Sequence, residues 1–291
     1  MFVVLLISFV VGRLSGTPFE IMFPDGLTVD HQIALEKKFK LDLPMHEQFK
    51  LYVTQIFKGD FGRSLHTGEK VWAMYALRMP ATLAVGSLAL LVAIIIGLPL
   101  GALSALYRKN VGVTGALLLV FLGYAVPHFV IGIGLILLFG YVLQILPTTS
   151  LDTWRHFVLP TITLAIPMIA VLARFMRAAM LDAIGQDYVS TATSKGLTDA
   201  DIAKNHIFRN ALVPIISVVG LEIAGLLNGT IFVETVFSLP GVGRILIGAV
   251  EQRDYPVLQF GLIAYSLIVV TVNLIVDLLY VVADPRIRLG K

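Results

Sequence analysis

The stretch DYVSTATSKGLTDADIAKNHIFRNALVP, Asp187 to Pro214, is a polar island of mixed charge between segments apolar enough to lie in a lipid bilayer. Such an island points to a loop outside the membrane, of the kind that docks a partner. Asp182 to Ser194 is predicted to form a helix leaving the bilayer, and Gly196 can take the left-handed conformation that ends helices. Thr198 is suited to cap a second helix, with Asp199 and Asp201 in its first turn, where the positive end of the helix dipole favours acid. The loop therefore reads as two helices joined by a corner. Ala200, Ile202, Ala203, Ile207 and Phe208 give the second helix an apolar side, and Lys204, Asn205 and Arg209 supply polar groups. That apolar side fits either a groove on a partner or the underside of the chain's own bundle.

Working outward, the whole chain has the composition of an integral membrane protein. Hydrophobic residues make up 57% and charged residues 14% of its 291 residues, and the mean hydropathy is +0.87; soluble domains average about 25% charged. Cysteine is absent, which excludes disulfide frameworks, thiolate metal sites and thiol nucleophiles. A bilayer span needs about 20 mostly apolar residues in a helix, because hydrocarbon offers the backbone no water. Five segments qualify: Ala81 to Tyr107, Val113 to Leu143, Phe157 to Met180, Ala211 to Phe237 and Val257 to Val282. Pro127 and His128 interrupt the second of these, so a kink is expected there. Met1 to Val11 is apolar but too short to span, and no basic residues precede it as a signal peptide requires. It reads as the shortened remainder of a first helix, giving an expected all-α polytopic bundle of six spans.

Orientation follows from the short loops, where Lys and Arg gather on the cytoplasmic side. Arg108 and Lys109, then Arg174, Arg177, Lys195, Lys204 and Arg209, then Arg286, Arg288 and Lys291 fall on alternate sides of successive spans and mark one face. Both termini are expected there, in the cytoplasm. The domain reading has residues 1–14 as a partial first span and 15–79 as a small external insert. The membrane domain takes 80–283, including the loop 182–210, and a cytoplasmic tail takes 284–291. No low-complexity tract or internal repeat is apparent.

Several separated stretches carry a resemblance. LDLP at Leu41 to Pro44 with Gln48 after it, GDFGRSL at Gly59 to Leu65, RMPATL at Arg78 to Leu83 and HFVLPTITLA at His156 to Ala165 run in order along the chain. DYVSTATSKGL and FRNALVP follow within the loop, then FSLPGVGRIL at Phe237 to Leu246, RDYPVLQ at Arg253 to Gln259 and DPRIR at Asp284 to Arg288. Together they resemble the inner-membrane permeases of ABC importers, specifically the dipeptide, oligopeptide and nickel branch. The polar island resembles the "EAA" loop of those permeases, although Ser190 stands where the general motif has an acidic residue.

The resemblance implies a type I importer permease fold in a bacterial or archaeal cytoplasmic membrane. It implies as partners a second, homologous permease, two ATP-binding cassette ATPases beneath and an extracytoplasmic substrate-binding protein, with no nucleic acid. No G-x-x-x-x-G-K-[ST] phosphate loop occurs in the chain, so it is expected to be no enzyme and to bind no cofactor, ATP and Mg lying on the partner subunits. By carry-over, Ser190, Thr191, Ala192, Lys195, Gly196, Leu197, Asp199, Ile202, Asn205 and Arg209 are the expected ATPase-docking residues.

Ionisable groups inside a span cost about 2.5 to 3.5 kcal/mol on insertion scales, so each needs a reason. Glu222 lies near the middle of the fifth span, with Asn228 and Thr230 beyond it, and His128 sits beside Pro127. Glu222, Asn228 and His128 are candidates for the translocation path; interhelical hydrogen bonds are the alternative. Asp277 is placed to pair with Arg174 or Arg177. No His or carboxylate cluster has metal-ligand spacing. Short peptides are the favoured cargo and nickel the alternative. An ion-coupled secondary transporter, using Glu222 and Asp277 as proton sites, is a third reading.

Overall fold

A computed structural model describes residues 2–14, 19, 23, 28–38 and 40–283, so the tail motif DPRIR lies outside the described residues. In the described residues helices dominate, and strand pairing is confined to one isolated bridge between Arg63 and Lys70. The chain divides into two compact units, one of Met1–Pro80 with Gly241–Val269 and one of Ala81–Pro240 with Val270–Lys291.

The first unit holds helices α1 (Phe2–Leu14), α2 (Val29–Lys38) and α3 (Met45–Phe57) and the first turns of α4 (Val71–Leu106). With them go α10 (Val242–Glu251) and the first half of α11 (Tyr255–Ala283). α1 has 13 residues and packs on α3: the Phe9 ring lies 5.4 Å from Phe49 and 5.8 Å from Tyr52, and Ser8 Oγ lies 3.1 Å from the Tyr52 hydroxyl.

The sequence motifs of this unit are hydrogen-bonding devices. The Gln48 amide donates to Leu41 O at 3.1 Å and Leu43 O at 2.7 Å, tying LDLP to α3. Buried Asp254 accepts from Ser64 Oγ at 2.5 Å and from Leu65 N at 3.2 Å, and Ser64 Oγ accepts in turn from His66 N and Thr67 N. GDFGRSL and RDYPVLQ, whose Ser64 and Asp254 are 190 residues apart, are thus two halves of one clasp. The Tyr75 hydroxyl donates to Val257 O at 2.9 Å, and Phe260 packs edge-on against Phe61 and Tyr75.

The second unit is built around α7 (Val158–Ile184), entered through a 3-10 turn at Trp154–Phe157. Leu159, Leu164, Ala165, Met168, Ala170, Leu172, Ala173 and Met176 are all buried. Around it pack α5 (Val111–Ala125), α6 (His128–Leu135, continuing as π-helix Ile136–Val142) and α9 (Asp199–Val236). α4 meets α7 through Gly97 and Gly101, one helical turn apart. A Cβ built on Gly97 would sit 3.0 Å from Ile169 O, and one on Gly101 would sit 2.4 Å from Ala173 O and 2.8 Å from Met176 Cβ. In lipid, where apolar side chains gain little by leaving the tails, such small-residue contacts hold helices together. Elsewhere on α4, Thr82 Oγ1 donates to buried Glu234 at 2.5 Å.

Among the described residues, four helices are long and apolar enough to cross a membrane: Val71–Leu106, Trp154–Ile184, Asp199–Val236 and Tyr255–Leu278. Three sequence expectations change. The segment expected to kink at Pro127 is two helices bent by 108°, since Pro127 at φ −57 and ψ 142 breaks the helix outright. Counted as one span, the pair brings the total to five, so the described residues do not establish six. Second, the helix expected over Asp182 to Ser194 breaks at Gly185 and Gln186, and α8 (Asp187–Ser194) starts afresh. Third, the Asp277 pairing is not formed: Asp277 is exposed, and the Arg174 guanidinium lies over the Tyr124 and Phe175 rings at 5.8 and 5.4 Å.

Because the Gly101 contact is with backbone as well as side chain, Gly101→Leu is expected to destabilise the bundle by about 3 kcal/mol or more. The check is the yield and melting temperature of detergent-purified protein beside Gly115→Leu, a site with nothing within 4 Å. Asp254→Ala leaves the Ser64 turn without its acceptor and is expected to expose Arg63 to trypsin at a rate well above wild type.

Candidate functional site

The polar island forms two short helical pieces around a tight corner. α8 ends at Ser194, and its hydroxyl residues fold back on their own helix: Ser190 and Thr191 donate to Asp187 O, Thr193 to Val189 O and Ser194 to Ser190 O. Gly196 follows at φ +78, a conformation that side chains disfavour, and a Cβ placed there would meet nothing within 4 Å. Thr198 then caps α9, accepting from Asp201 N at 3.2 Å and donating to Asp201 Oδ2 at 2.6 Å. α9 runs without interruption through a π-helical stretch, Ile202–Phe208, into Arg209–Val236. The second loop helix and the fifth span are therefore one 38-residue element.

The loop's two faces are sharply different. Ala192, Ile202 and Ile207 are 5%, 4% and 5% exposed and pack with Ala102 and Ala105 of α4 and Met176 and Met180 of α7. Among the expected docking residues, Ala192 and Ile202 thus face the bundle and fix the loop to it. Of the apolar side of the second helix, Ile202, Ile207 and partly buried Phe208 pack on the chain's own bundle, whereas Ala200 is exposed. Ser190, Thr191, Lys195, Gly196, Leu197, Asp199, Asn205 and Arg209 are exposed. Leu197, at 40% exposure, puts an apolar side chain at the corner between Lys195 and Asp199.

The three polar residues expected along the path come together. Glu222, His128 and Asn228 line one cavity of about 330 Å³ in the second unit, with Tyr124, Met168 and Phe232 among its other walls. Gly225 and Gly229 line it too. They follow Glu222 by one and two helical turns, on its side of the helix. A Cβ on Gly229 would come within 3.6 Å of His128 Nε2, whereas one on Gly225 would meet nothing within 4 Å. Space is held open beside the carboxylate by that missing side chain. Nothing in the sequence marks these two glycines, because their role depends on which helix faces them.

The comparisons with known proteins agree with one another. Residues 97–289 match the family model described as "Binding-protein-dependent transport system inner membrane component". The chain is 37% identical to the Di/tripeptide transport system permease protein DppB of Pseudomonas aeruginosa, covering 99% of this chain and 94% of that one. It is 35% identical to the Glutathione transport system permease protein GsiC of Escherichia coli K12, with the same coverage. Among solved structures, a chain of the MetNI methionine ABC transporter superposes with a TM-score of 0.61 at 16% identity, covering 73% of this chain and 97% of that one. At that identity the likeness is one of fold.

The buried and exposed faces of the loop make separable predictions. Ile202→Ala removes a buried side chain and is expected to cost about 2 to 5 kcal/mol locally, read as faster tryptic cleavage at Lys195 and Lys204. Leu197→Ala at the exposed corner is expected to change cleavage little, a surface substitution being worth within about 0.5 kcal/mol.

Proposed function

We propose, from the premise that this chain belongs to the family of inner membrane components of binding-protein-dependent transport systems, that it is the permease subunit through which an ATP-driven importer moves short peptides. The observation that carries the reading is the loop: a capped, exposed corner fused to a membrane-crossing helix and pinned to the bundle by a small apolar core. Ser190, Thr191, Lys195, Gly196, Leu197, Asp199, Asn205 and Arg209 meet an ATPase subunit, while Ala192 and Ile202 hold the corner to α4 and α7. The full assembly has this chain beside a homologous permease, with two ATPases that bind ATP and Mg and an external binding protein.

Mechanically, ATP-driven closure of the ATPases moves the docked corner, and α9 carries that displacement past the cavity at Glu222. Coupling requires the loop to contact the ATPase differently in the two states, since equal contacts shift no equilibrium. The corner is stiffened for this by the Thr198 cap and by the core under Ile202 and Ile207. The cavity containing Glu222, His128 and Asn228 lies on the path of the cargo. The loop and both termini face the cytoplasm, in agreement with the basic residues on that side, and the insert at 15–79 is external.

Peptide is preferred to nickel because the relatives described above bear di/tripeptide and glutathione names. The six histidines are also scattered along the chain, in no metal-ligand spacing.

Reconstitution in proteoliposomes with the partner permease, ATPases and binding protein gives the test, read as peptide-stimulated ATP hydrolysis. Gly196→Trp has room for the ring but strains the left-handed corner and covers the docking face. It is expected to abolish stimulation in assemblies that still co-purify intact. Equal stimulation of wild type and mutant contradicts the docking assignment, and loss of peptide stimulation in the wild type, with nickel active instead, contradicts the cargo.

A further inference from the structure

Glu222 lies midway along Arg209–Val236, about 20 Å from either end at 1.5 Å per residue. It is half-buried, and within the described residues its carboxylate has neither a hydrogen bond nor a cationic partner. His128, across the same cavity, likewise bonds no protein group among them. No Lys or Arg lines the cavity. A carboxylate at that depth is expensive unless paired, so its presence calls for a complement that comes and goes. Bulk reinforces the point: Gly225 leaves an opening one turn away, and about 330 Å³ falls in the range of small-molecule sites, about 300 to 1,000 Å³. Most of the remaining walls, among them Leu164, Pro167 and Met168, are apolar, and apolar surroundings strengthen a charge pairing relative to open water.

We propose that Glu222 receives the ammonium group of the cargo in transit, so that the permease itself, and not only the binding protein outside, selects solutes bearing a free amino group. Asn228, whose amide both donates and accepts, is placed at the same cavity to meet the peptide group of such a solute. This rests on the reading of the cavity as part of the transport path.

The experiment uses the assembled transporter in nanodiscs without the binding protein, so that upstream selection cannot mask the permease. Saturation-transfer NMR titrations compare dialanine with N-acetyl-dialanine, which lacks the ammonium group and keeps everything else. Three proteins are compared: wild type; Glu222→Gln, which keeps size and hydrogen bonding but removes the charge; and Gly225→Leu, which fills the opening.

Wild type is expected to bind dialanine more tightly than the acetylated form. Glu222→Gln is expected to weaken dialanine by about tenfold or more, the loss of a charge-assisted hydrogen bond, with little change for N-acetyl-dialanine. Gly225→Leu is expected to abolish binding of both. Unchanged dialanine binding in Glu222→Gln, with binding lost in Gly225→Leu, overturns ammonium recognition and leaves the cavity on the path. Equal binding of both ligands by the wild type, or none of dialanine, also overturns the inference. Dialanine binding that survives Gly225→Leu unchanged removes the cavity from the path and the inference with it.

Discussion

The approach of α4 to α7 at Gly97 and Gly101 is the contact on which the membrane unit depends. With backbone at 2.4 Å from the position a Cβ would take on Gly101 and at 3.0 Å on Gly97, a side chain at Gly101 forces the helices to shift and one at Gly97 is crowded, and the two helices come close enough to share a surface below the contact. That surface is made of Ala102 and Ala105 on one helix and Met176 and Met180 on the other, and it is where Ala192, Ile202 and Ile207 of the loop are seated. A looser crossing would leave the loop without a socket. The same α7 carries Leu164, Pro167 and Met168 at the wall of the Glu222 cavity, so one packed helix positions both the corner and the cavity.

The loop shows how a weakly hydrophobic segment acquires a fixed shape. Its length allows little core, so local devices supply the order: hydroxyls bonded back to carbonyls, a glycine at positive φ, and a threonine cap reinforced by Asp201. Three buried apolar side chains do the rest. The order is thus divided between exposed residues that shape the backbone, Ser190, Thr191 and Gly196 among them, and buried ones that seat the loop on the bundle. Continuity of α9 from Asp199 to Val236 then joins the loop to the middle of the helix, through the π-helical stretch Ile202–Phe208, where the backbone pattern is least regular, and past Pro214, which lies inside the helix.

Much of this is legible in the chain. The apolar runs set the class, the Gly196 corner and Thr198 cap follow from residue chemistry, and Glu222, His128 and Asn228 stand out because ionisable and amide groups are rare within spans. What the sequence does not supply is direction. An amphipathic pattern does not say whether Ile202 faces a partner or its own bundle, and periodicity cannot reveal that Gly225 opens a space. Pro127 announces an interruption, but the size of the bend depends on what α6 packs against after it: Gly132 sits against Phe237 and Val236 at the end of α9. The motifs GDFGRSL and RDYPVLQ are visible as strings, yet their joint role requires Ser64 and Asp254 to be brought together across 190 positions.

Because the chain has no cysteine, a single thiol can be placed at the corner without background. Leu197→Cys, carrying a benzophenone maleimide in the assembled transporter, should on illumination give a covalent product with an ATPase subunit. The same probe at Trp154→Cys, exposed and separated from the loop by the length of the membrane-crossing helix Trp154–Ile184, should give none. No ATPase product from position 197 in an assembly that hydrolyses ATP, or equal products from both positions, would contradict the assignment of the loop as the point where ATP hydrolysis is coupled to transport.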